Sequence, residues 1–332
     1  MSKILEKNIS VIITIYNRAN TIDSCVRSLF KQKLQNIEYI FVDDGSKDQS
    51  LDKLKALLDI FPEHKQQTQI IQHETNKGIA AARQSGLEKA NGEYIIHCDS
   101  DDWIDDNMYE RLYRYAKEND ADIVGCDFCH EFSDRHFIFH QQYAETIDEN
   151  IRRLINGQIF PSLCTSLTKR KLITDNTISF PLGLNMGEDL FFNLQLYLKA
   201  KKIVGINWAP YHYRHTEDSS CIKRTRESID SDISIAGMIE IFMKKNNLYE
   251  KYSKDIEYRK FFSKLPLIED LNNIKNYTDW MRVYPETHNY IWRYEQIDWK
   301  RKTELWLAAN KMMTMAKLFK YLLKLQNKIR HI

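Results

Sequence analysis

The sequence predicts an α/β protein with a mostly parallel β-sheet that helices cover on both faces. Dense runs of β-branched residues alternate with helical segments through the first third of the chain. Such a β-α-β-α-β-α-β order favours parallel strands joined by helical crossovers. Polar clusters follow three of the predicted strands, and open α/β sheets bind ligands at the carboxyl ends of their strands. We therefore expect a ligand site at that edge of the sheet.

The predicted strands are short apolar segments that end in turn residues. Their many Ile and Val residues are typical of strands buried on both faces. Asn20 or Thr21 is expected to cap the first helix, and Asn91-Gly92 is expected to end the third. The strands are predicted over residues 9–15, 37–42, 69–73 and 94–98.

The acidic turn Asp99-Ser-Asp101-Asp102 after the fourth strand is the strongest chemical signal. Crowded carboxylates repel one another, and a divalent cation removes that conflict. Oxygen ligands suit Mg²⁺ or Mn²⁺, with substrate phosphates often completing the shell. Two alternatives exist for this motif alone: a solvated turn that caps the next helix, or a phosphatase of the haloacid-dehalogenase type, which usually carries it near the N-terminus.

Missing motifs, the net charge and the hydropathy of the chain exclude several other classes of protein. The chain has neither G-x-G-x-x-G after the first strand nor G-x-x-x-x-G-K-[ST], which argues against a dinucleotide-binding site and a P-loop. Its net charge of +2 gives no general attraction to nucleic acid, which we do not expect as a partner. No apolar stretch is long enough to span a membrane, and the N-terminus is too polar for a secretory signal. We expect a cytoplasmic protein.

The segment Cys126-Asp-Phe-Cys129-His130 has the spacing of a c-type haem attachment site. It continues a strand predicted from Asp122, however, and the second cysteine pair that a zinc site of this kind needs is lacking. The six cysteines of the chain show no disulfide framework. We therefore expect reduced, mostly buried thiols, and neither haem nor zinc.

Five segments, taken in order, resemble the inverting glycosyltransferases of family 2, which have the GT-A fold. The resemblance is strong over residues 8 to about 105 and weaker to about 222. It implies a catalytic domain over residues 1–222, with a nucleotide-binding half at about 8–130 and an acceptor half at about 131–222, and then a helical region over 223–332. The segments are Ser10-Val-Ile-Ile-Thr-Ile-Tyr-Asn17, Val42-Asp-Asp-Gly-Ser46, Asn76-Lys-Gly-Ile-Ala-Ala-Ala-Arg83, Ala90-Asn-Gly-Glu-Tyr94 and Asp99-Ser-Asp-Asp102.

The resemblance implies roles for residues on the donor side. The ring of Tyr16 would stack near the base of the donor, and Asp44 would accept a hydrogen bond from uracil N3–H or from another base. Lys77 and Arg83 would lie near the diphosphate. The full set of expected donor-binding residues is Thr14, Tyr16, Asp44, Lys77, Arg83, Asp99 and Ser100.

The same resemblance implies a metal, either Mn²⁺ or Mg²⁺. Asp101 would ligate it directly, and Asp99 would approach both the metal and the ribose. A histidine after Tyr211 is a candidate for a further ligand. Alternation along a strand would place Tyr211 and His215 on one face and His212 on the other, and we favour His215.

Met186-Gly-Glu188-Asp189 resembles the Glu-Asp signature of the family at the start of a helix. Inverting transfer is one in-line displacement, which needs a base for the acceptor hydroxyl and a Lewis acid for the departing diphosphate. Asp189 is the expected base, and Glu188 is expected to orient neighbouring groups or to contact the acceptor. The alternative is an acidic first turn that complements the helix dipole.

The end of the chain is basic and amphipathic. After Glu304 it has no acidic residue, and it predicts a helix with lysines on one face and apolar residues on the opposite face. Two interpretations stay open: contact with an anionic membrane surface, or docking on the protein with the lysines in water. The lysines are Lys317, Lys320, Lys324 and Lys328, and the apolar residues are Met315, Leu318, Leu322, Leu325 and Ile329.

The resemblance implies a metal-dependent inverting glycosyltransferase with a nucleotide-diphosphate sugar, foremost a UDP-sugar, as donor. Its acceptor would be a hydroxyl of lipopolysaccharide, capsule or a related glycan, free or lipid-linked. Such an enzyme would work in the cytoplasm or as a peripheral protein on the inner face of the cell membrane. The alternatives are a sugar nucleotidyltransferase, which shares the sheet topology, and a glycan- or nucleotide-binding protein without activity.

Overall fold

The sheet lies in the first of two compact units, which span residues 1–224 and 225–332. Each unit has its own hydrophobic core. The computed structural model describes residues 7–184, 186–215 and 225–330, with the backbone alone at residues 324 and 326–330.

Four parallel strands form one half of the sheet, in the order β3-β2-β1-β4. Their register places Thr14 beside Asp99 on one side and beside Val42 on the other. The predicted parallel α/β arrangement is thereby confirmed for this half. The strands are β1 (Ile9–Ile15), β2 (Ile37–Asp43), β3 (Thr68–Gln72) and β4 (Tyr94–Asp99).

Helices cover both faces of these strands, as predicted. One face of β1, β2 and β4 packs into a continuous apolar core with α1, α2 and α4. The other face meets α3, where Gly86 leaves no room for a side chain against Ile12. The helices are α1 (Ile22–Phe30), α2 (Ser50–Ile60), α3 (Ile79–Leu87) and α4 (Met108–Asn119), with a 3₁₀ segment at Pro62–Gln67.

The other half of the sheet is mixed, which the sequence did not predict. Strand β8 pairs antiparallel with both β4 and β6, whereas β9 runs parallel to β6. Strand β5 completes the edge antiparallel to β9, and β7 pairs with β6. These elements are β5 (Trp103–Ile104), β6 (Ile123–Glu131), β7 (His136–Phe139), β8 (Ser166–Lys169) and β9 (Ile203–Arg214), with helices α5 (Ile147–Ile155), α6 (Arg170–Asp175) and α7 (Glu188–Lys199).

The second unit is helical, as predicted for the C-terminal region. Trp280 and Leu305 are fully buried in its core. Its elements are α8 (Arg226–Lys245), α9 (Tyr249–Lys264), α10 (Ile274–Arg282), α11 (Trp299–Ala309) and α12 (Met313–Arg330), with 3₁₀ segments at Leu265–Ile268 and Pro285–Arg293.

Helix α12 docks on its own unit through one face and exposes another. Ala316 is fully buried, and Phe319 packs against the core. Lys320 Nζ donates a hydrogen bond to the carbonyl oxygen of Glu269 at 2.7 Å. None of the described helices is both long and apolar enough to cross a membrane. The apolar residues Met315, Leu318, Leu322 and Leu325 are exposed, while the side chains of Lys324, Lys328 and Ile329 lie outside the described residues.

Candidate active site

A cleft of about 500 Å³ opens at the carboxyl ends of β1, β2 and β4, where the parallel strands predict a ligand site. The loops that follow these three strands form its walls. Its lining includes six of the expected site residues: Thr14, Tyr16, Asp44, Asp99, Ser100 and Asp101.

The loop after β1 is held in place by the loop after β2. Asn17 adopts a left-handed conformation with φ of 54°, and its side-chain oxygen accepts a hydrogen bond from the amide of Lys47 at 2.8 Å. The amide of Ala19 donates to Asp48 at 2.9 Å. These bonds position Tyr16, whose side chain is 43% exposed at the cleft and is free to receive a flat ring.

Asp44 is buried and shapes the turn that leads into α3. It accepts hydrogen bonds from the ring of His73 at 2.7 Å and from the amides of Lys77 and Gly78 at 2.9 Å each. Both of its oxygens are therefore used within the protein, and the expected contact with a base would be an additional bond. The Lys77 side chain is exposed and is not part of the cleft lining.

The carboxylates of Asp99 and Asp101 both reach the cleft, where their side chains are 29% and 30% exposed. Burial, and then the charge of Asp99, raise the pKa of Asp101. Arg18 opposes that shift, since its Nε lies 3.2 Å from a carboxylate oxygen of Asp101. Arg18 was not among the expected site residues, although it follows the Tyr16-Asn17 segment directly.

Ser100 and Asp102 hold the acidic turn in place. The Ser100 hydroxyl donates a 2.7 Å hydrogen bond to the Thr14 carbonyl, so it joins the turn to the end of β1. Asp102 is fully buried and accepts hydrogen bonds from the Tyr211 hydroxyl at 2.5 Å and from the Arg214 amide at 2.8 Å. Burial, Asp101 and Asp99 raise the pKa of Asp102 well above its usual value. Asp102 therefore anchors β9 and does not cap a helix.

Arg83 is 5% exposed and joins β4 to α7. Its guanidinium lies 2.5 Å from a carboxylate oxygen of Glu188 and 3.2 Å from one of Asp99. Burial lowers the pKa of Arg83, but the nearby acidic groups, Asp99 and Glu188 foremost, together raise it above its usual value. Arg83 is absent from the cleft lining. The guanidinium bridges the two acidic motifs, and its contact with phosphate stays a prediction.

Asp189 follows Glu188 in the first turn of α7, which begins after Gly187 in a left-handed conformation. Burial, and then the charge of Glu188, raise the pKa of Asp189 to about 7, while Arg83 lowers it. The charge of Asp99 also contributes to this pKa, so the two carboxylates are electrostatically linked. A carboxylate whose pKa lies near neutral pH can accept a proton efficiently.

His215, expected as a metal ligand, is not brought to the acidic turn. Its ring stacks on Phe132 with centroids 4.1 Å apart, and its Nε2 lies 2.6 Å from Nδ1 of His130. Within the described ranges, His215 does not form a three-ligand group with Asp99 and Asp101. The physical reason is the path of β9, which carries His215 past the turn and into an aromatic cluster.

Arg214 also holds the acidic turn in place, and no sequence pattern predicted this role. Its guanidinium donates to the carbonyl oxygen of Asp101 at 2.9 Å and lies over the ring of Trp103 at 4.8 Å. Arg214 and Asp101 are 113 positions apart in the chain, so no local pattern could connect them.

Comparison with known proteins defines the class. The family model for glycosyl transferase family 2 matches residues 10–175, half of the chain, so the protein belongs to this family. It is therefore a glycosyltransferase, which answers the question left open between transferase, nucleotidyltransferase and inactive binding protein.

Particular relatives agree with this assignment. The putative glycosyltransferase EpsH of Bacillus subtilis is 30% identical over 75% of this chain and 73% of its own length. Glycosyltransferase GlyG of Streptococcus pneumoniae is 36% identical over 71% of this chain and 79% of its own length. The crystal structure of Staphylococcus aureus TarS 1–349 matches with a TM-score of 0.67 and 20% sequence identity. The match covers 96% of this chain and 92% of the TarS chain. These likenesses are consistent with the predicted GT-A fold.

Replacing Arg83 with Met should strongly destabilise the protein. The change leaves the buried Glu188 and the partly buried Asp99 without their counter-charge, which costs about 3–5 kcal/mol of unfolding free energy. Urea denaturation of the wild type and the variant measures this loss.

The control for this experiment is Arg27→Met, which breaks an exposed ion pair with Asp23 on α1. Exposed pairs contribute about 0–1 kcal/mol, so this variant should unfold close to the wild-type midpoint. Equal, small effects in both variants would show that the Arg83 bridge does not hold the fold together.

Proposed function

We propose that this glycosyltransferase carries out metal-assisted, inverting transfer of a sugar from a UDP-sugar to a hydroxyl of a surface glycan. The observation that carries the proposal is the bridge made by Arg83. It joins Asp99, which lines the cleft, to the turn of α7 that bears Asp189. This link between a cleft carboxylate and the candidate base supports the proposal.

UDP is the proposed nucleotide because a structural relative, TarS 1–349, has been solved in complex with UDP-GlcNAc. The cleft offers Tyr16 for stacking on the base and Asp44 at its wall. For the acceptor, S. aureus TarS is named a poly(ribitol-phosphate) β-N-acetylglucosaminyltransferase, and its name supports a polymer hydroxyl as the acceptor. Lipopolysaccharide, capsule and related glycans are the proposed settings.

The acidic turn fits a divalent cation. Asp99 and Asp101 offer only oxygen ligands, as Mg²⁺ and Mn²⁺ prefer. Burial, and then the charge of Asp99, raise the pKa of Asp101, and a cation would offset both effects. Arg18, which now faces Asp101, is 45% exposed, and such ion pairs are weak enough to be displaced. Asp101 and Asp99 would hold the metal together with the donor phosphates. When bound, the metal would neutralise charge on the leaving diphosphate.

Replacing Asp101 with Ala should abolish the Mn²⁺-dependent part of UDP binding, because the variant lacks a cation ligand. The side chain is partly exposed, so the variant should keep its fold. Calorimetric titration of UDP with and without Mn²⁺ measures the effect.

Asp59→Ala is the matched control, since it removes an exposed carboxylate that pairs with Lys65 at the end of α2. This variant should bind UDP as the wild type does in both conditions. Unchanged Mn²⁺-dependent affinity in Asp101→Ala would refute the assignment of the metal.

Asp189 is the proposed general base. It would take the proton of the acceptor hydroxyl as the oxygen attacks the anomeric carbon and the bond to the diphosphate breaks. Glu188 would act through Arg83, because its carboxylate fixes the guanidinium that also holds Asp99. The base must be ionised to act, so its raised pKa sets a lower pH limit for the reaction.

Replacing Asp189 with Asn should lower turnover by roughly 10²–10⁴-fold, the usual contribution of a positioned base, while donor binding is kept. In the wild type, kcat/KM should fall as the pH drops below about 7, because Asp189 then becomes protonated. The variant should lack that acidic limb. Steady-state rates of sugar transfer or donor hydrolysis between pH 5 and about 9 measure both effects.

Asp52→Asn is the control, because Asp52 is an exposed acid in the first turn of α2. If acids at this position serve only the helix dipole, both variants should lose a little stability and keep full turnover. That outcome would exclude Asp189 as the base and would make Glu188 the next residue to test.

We further propose that α12 attaches the protein to an anionic membrane surface. Its exposed apolar side chains, among them Leu318 at 58% and Leu322 at 53%, lie outside the face that docks on the protein. Lys317 is exposed beside them, and lysines near an anionic surface contribute about 1 kcal/mol each. Apolar insertion and charge attraction would act together.

Replacing both Leu318 and Leu322 with Asp should reduce sedimentation with anionic liposomes and leave the melting temperature nearly unchanged, since both side chains are already exposed. Raising the salt concentration should release the wild type in the same assay.

Ile274→Asp is the matched control, because Ile274 is 77% exposed on α10 of the same unit. This variant should bind liposomes like the wild type. If the wild type does not sediment with anionic liposomes at low salt, the exposed face of α12 has another purpose.

A further inference from the structure

The pairing of β6 with β9 gathers three metal-ligating side chains on one face of the sheet. The parallel register places Cys129 directly beside His212, and Glu131 lies two residues further along β6. One potential ligand atom from each side chain, the thiol sulfur, a carboxylate oxygen and a ring nitrogen, lies within 4.8 Å of the other two. Cys129 is 5% exposed, whereas Glu131 and His212 are 22% and 21% exposed, so the cluster is shielded but reachable.

A carboxylate outside the cluster, that of Asp105, orients the ring of His212. Its Nδ1 lies 2.8 Å from Glu131, and its Nε2 lies 3.1 Å from a carboxylate oxygen of Asp105. The ring also stacks on Trp103, with centroids 5.1 Å apart and planes 5° apart. A carboxylate on the second ring nitrogen is the arrangement that metal-binding histidines usually have, because it fixes the tautomer and increases the basicity of the ligand.

We propose that Cys129, Glu131 and His212 form a binding site for a transition-metal cation of the Zn²⁺ class. Thiolate, imidazole and carboxylate are the ligands that Zn²⁺ takes in tetrahedral sites, and a water molecule would complete the set. Asp105 is the positioning residue that holds the imidazole. The sequence argued against zinc because a second cysteine pair was lacking, but the other two ligands are a glutamate and a histidine, and the histidine lies 81 positions beyond the glutamate.

This cluster shares no ligand with the acidic turn and differs from it in chemistry. Tyr211 and Tyr213 project from the other face of β9, where Tyr211 bonds to Asp102 and Tyr213 lines the cleft. The acidic turn offers only carboxylates, which suit Mg²⁺ and Mn²⁺, whereas a thiolate selects a softer ion. A cation bound by the cluster would link β6 to β9.

The test uses the untagged full-length protein, stripped with a chelator and titrated with Co²⁺, whose bond to a thiolate gives a near-ultraviolet absorption band. We expect one equivalent to produce this band, Zn²⁺ to abolish it, and millimolar Mg²⁺, which would occupy the acidic turn, to leave it unchanged. Cys129→Ser should lose the band. Cys126→Ser should keep it, because this thiol lies on the same strand and contacts the Thr165 carbonyl instead.

Two milder variants keep the test valid if Cys129→Ser folds poorly. Glu131→Gln should weaken Co²⁺ binding and shift its visible bands, since one ligand changes. Asp105→Asn should keep the bands and lower the affinity by about 10–100-fold, as expected for a residue that orients a ligand. The proposal fails if no stoichiometric binding occurs, or if Cys129→Ser and the wild type bind Co²⁺ equally. The cluster would then be a hydrogen-bonded group in which Glu131 accepts from His212.

Discussion

The candidate site depends on one buried positive charge, the guanidinium of Arg83. Arg83 is held between Asp99, at the end of β4, and Glu188, at the start of α7, and these two partners lie 16 and 105 positions away from it in the chain. Taking a guanidinium out of water is costly, and only two well-placed carboxylates offset that cost. The consequence is mutual dependence: neither acidic motif can shift without leaving a charge unpaired, so the end of β4 and the start of α7 are held to each other.

The three aspartates of the acidic turn show how neighbouring side chains of one type acquire different chemistry. Asp99 faces a buried arginine, Asp101 faces the cleft and an exposed arginine, and Asp102 is enclosed by Tyr211 and the backbone of β9. Solvent access and the partner of each carboxylate decide its role. Asp99 is fixed by an ion pair, Asp101 can exchange its partner, and Asp102 is structural. The proposed base at α7 follows the same rule, because burial beside a second acid brings its pKa into the working range.

The parallel half of the sheet could be predicted because its signals are local. β-branched runs mark the four strands, and the Asn76-Lys-Gly78 turn marks the start of α3. The mixed half could not, since pairing between β4, β8 and β6 depends on contacts between distant segments. The direction of a long charged side chain is equally nonlocal: for Arg83 the motif suggested phosphate, whereas packing turns the guanidinium toward Glu188.

The ion pair between Arg18 and Asp101 gives the cleft an internal counter-ion. The proposed divalent cation, if it bound alone, would compete with the guanidinium for the carboxylate, and its apparent affinity would be lowered. A nucleotide diphosphate bound with the cation would offer Arg18, itself part of the cleft lining, a new anionic partner. Each ligand would then favour the other, and by thermodynamic reciprocity the coupling would be the same in both directions. The arginine would thus make the metal and the donor bind as a pair, so that the free enzyme does not sequester cations between turnovers.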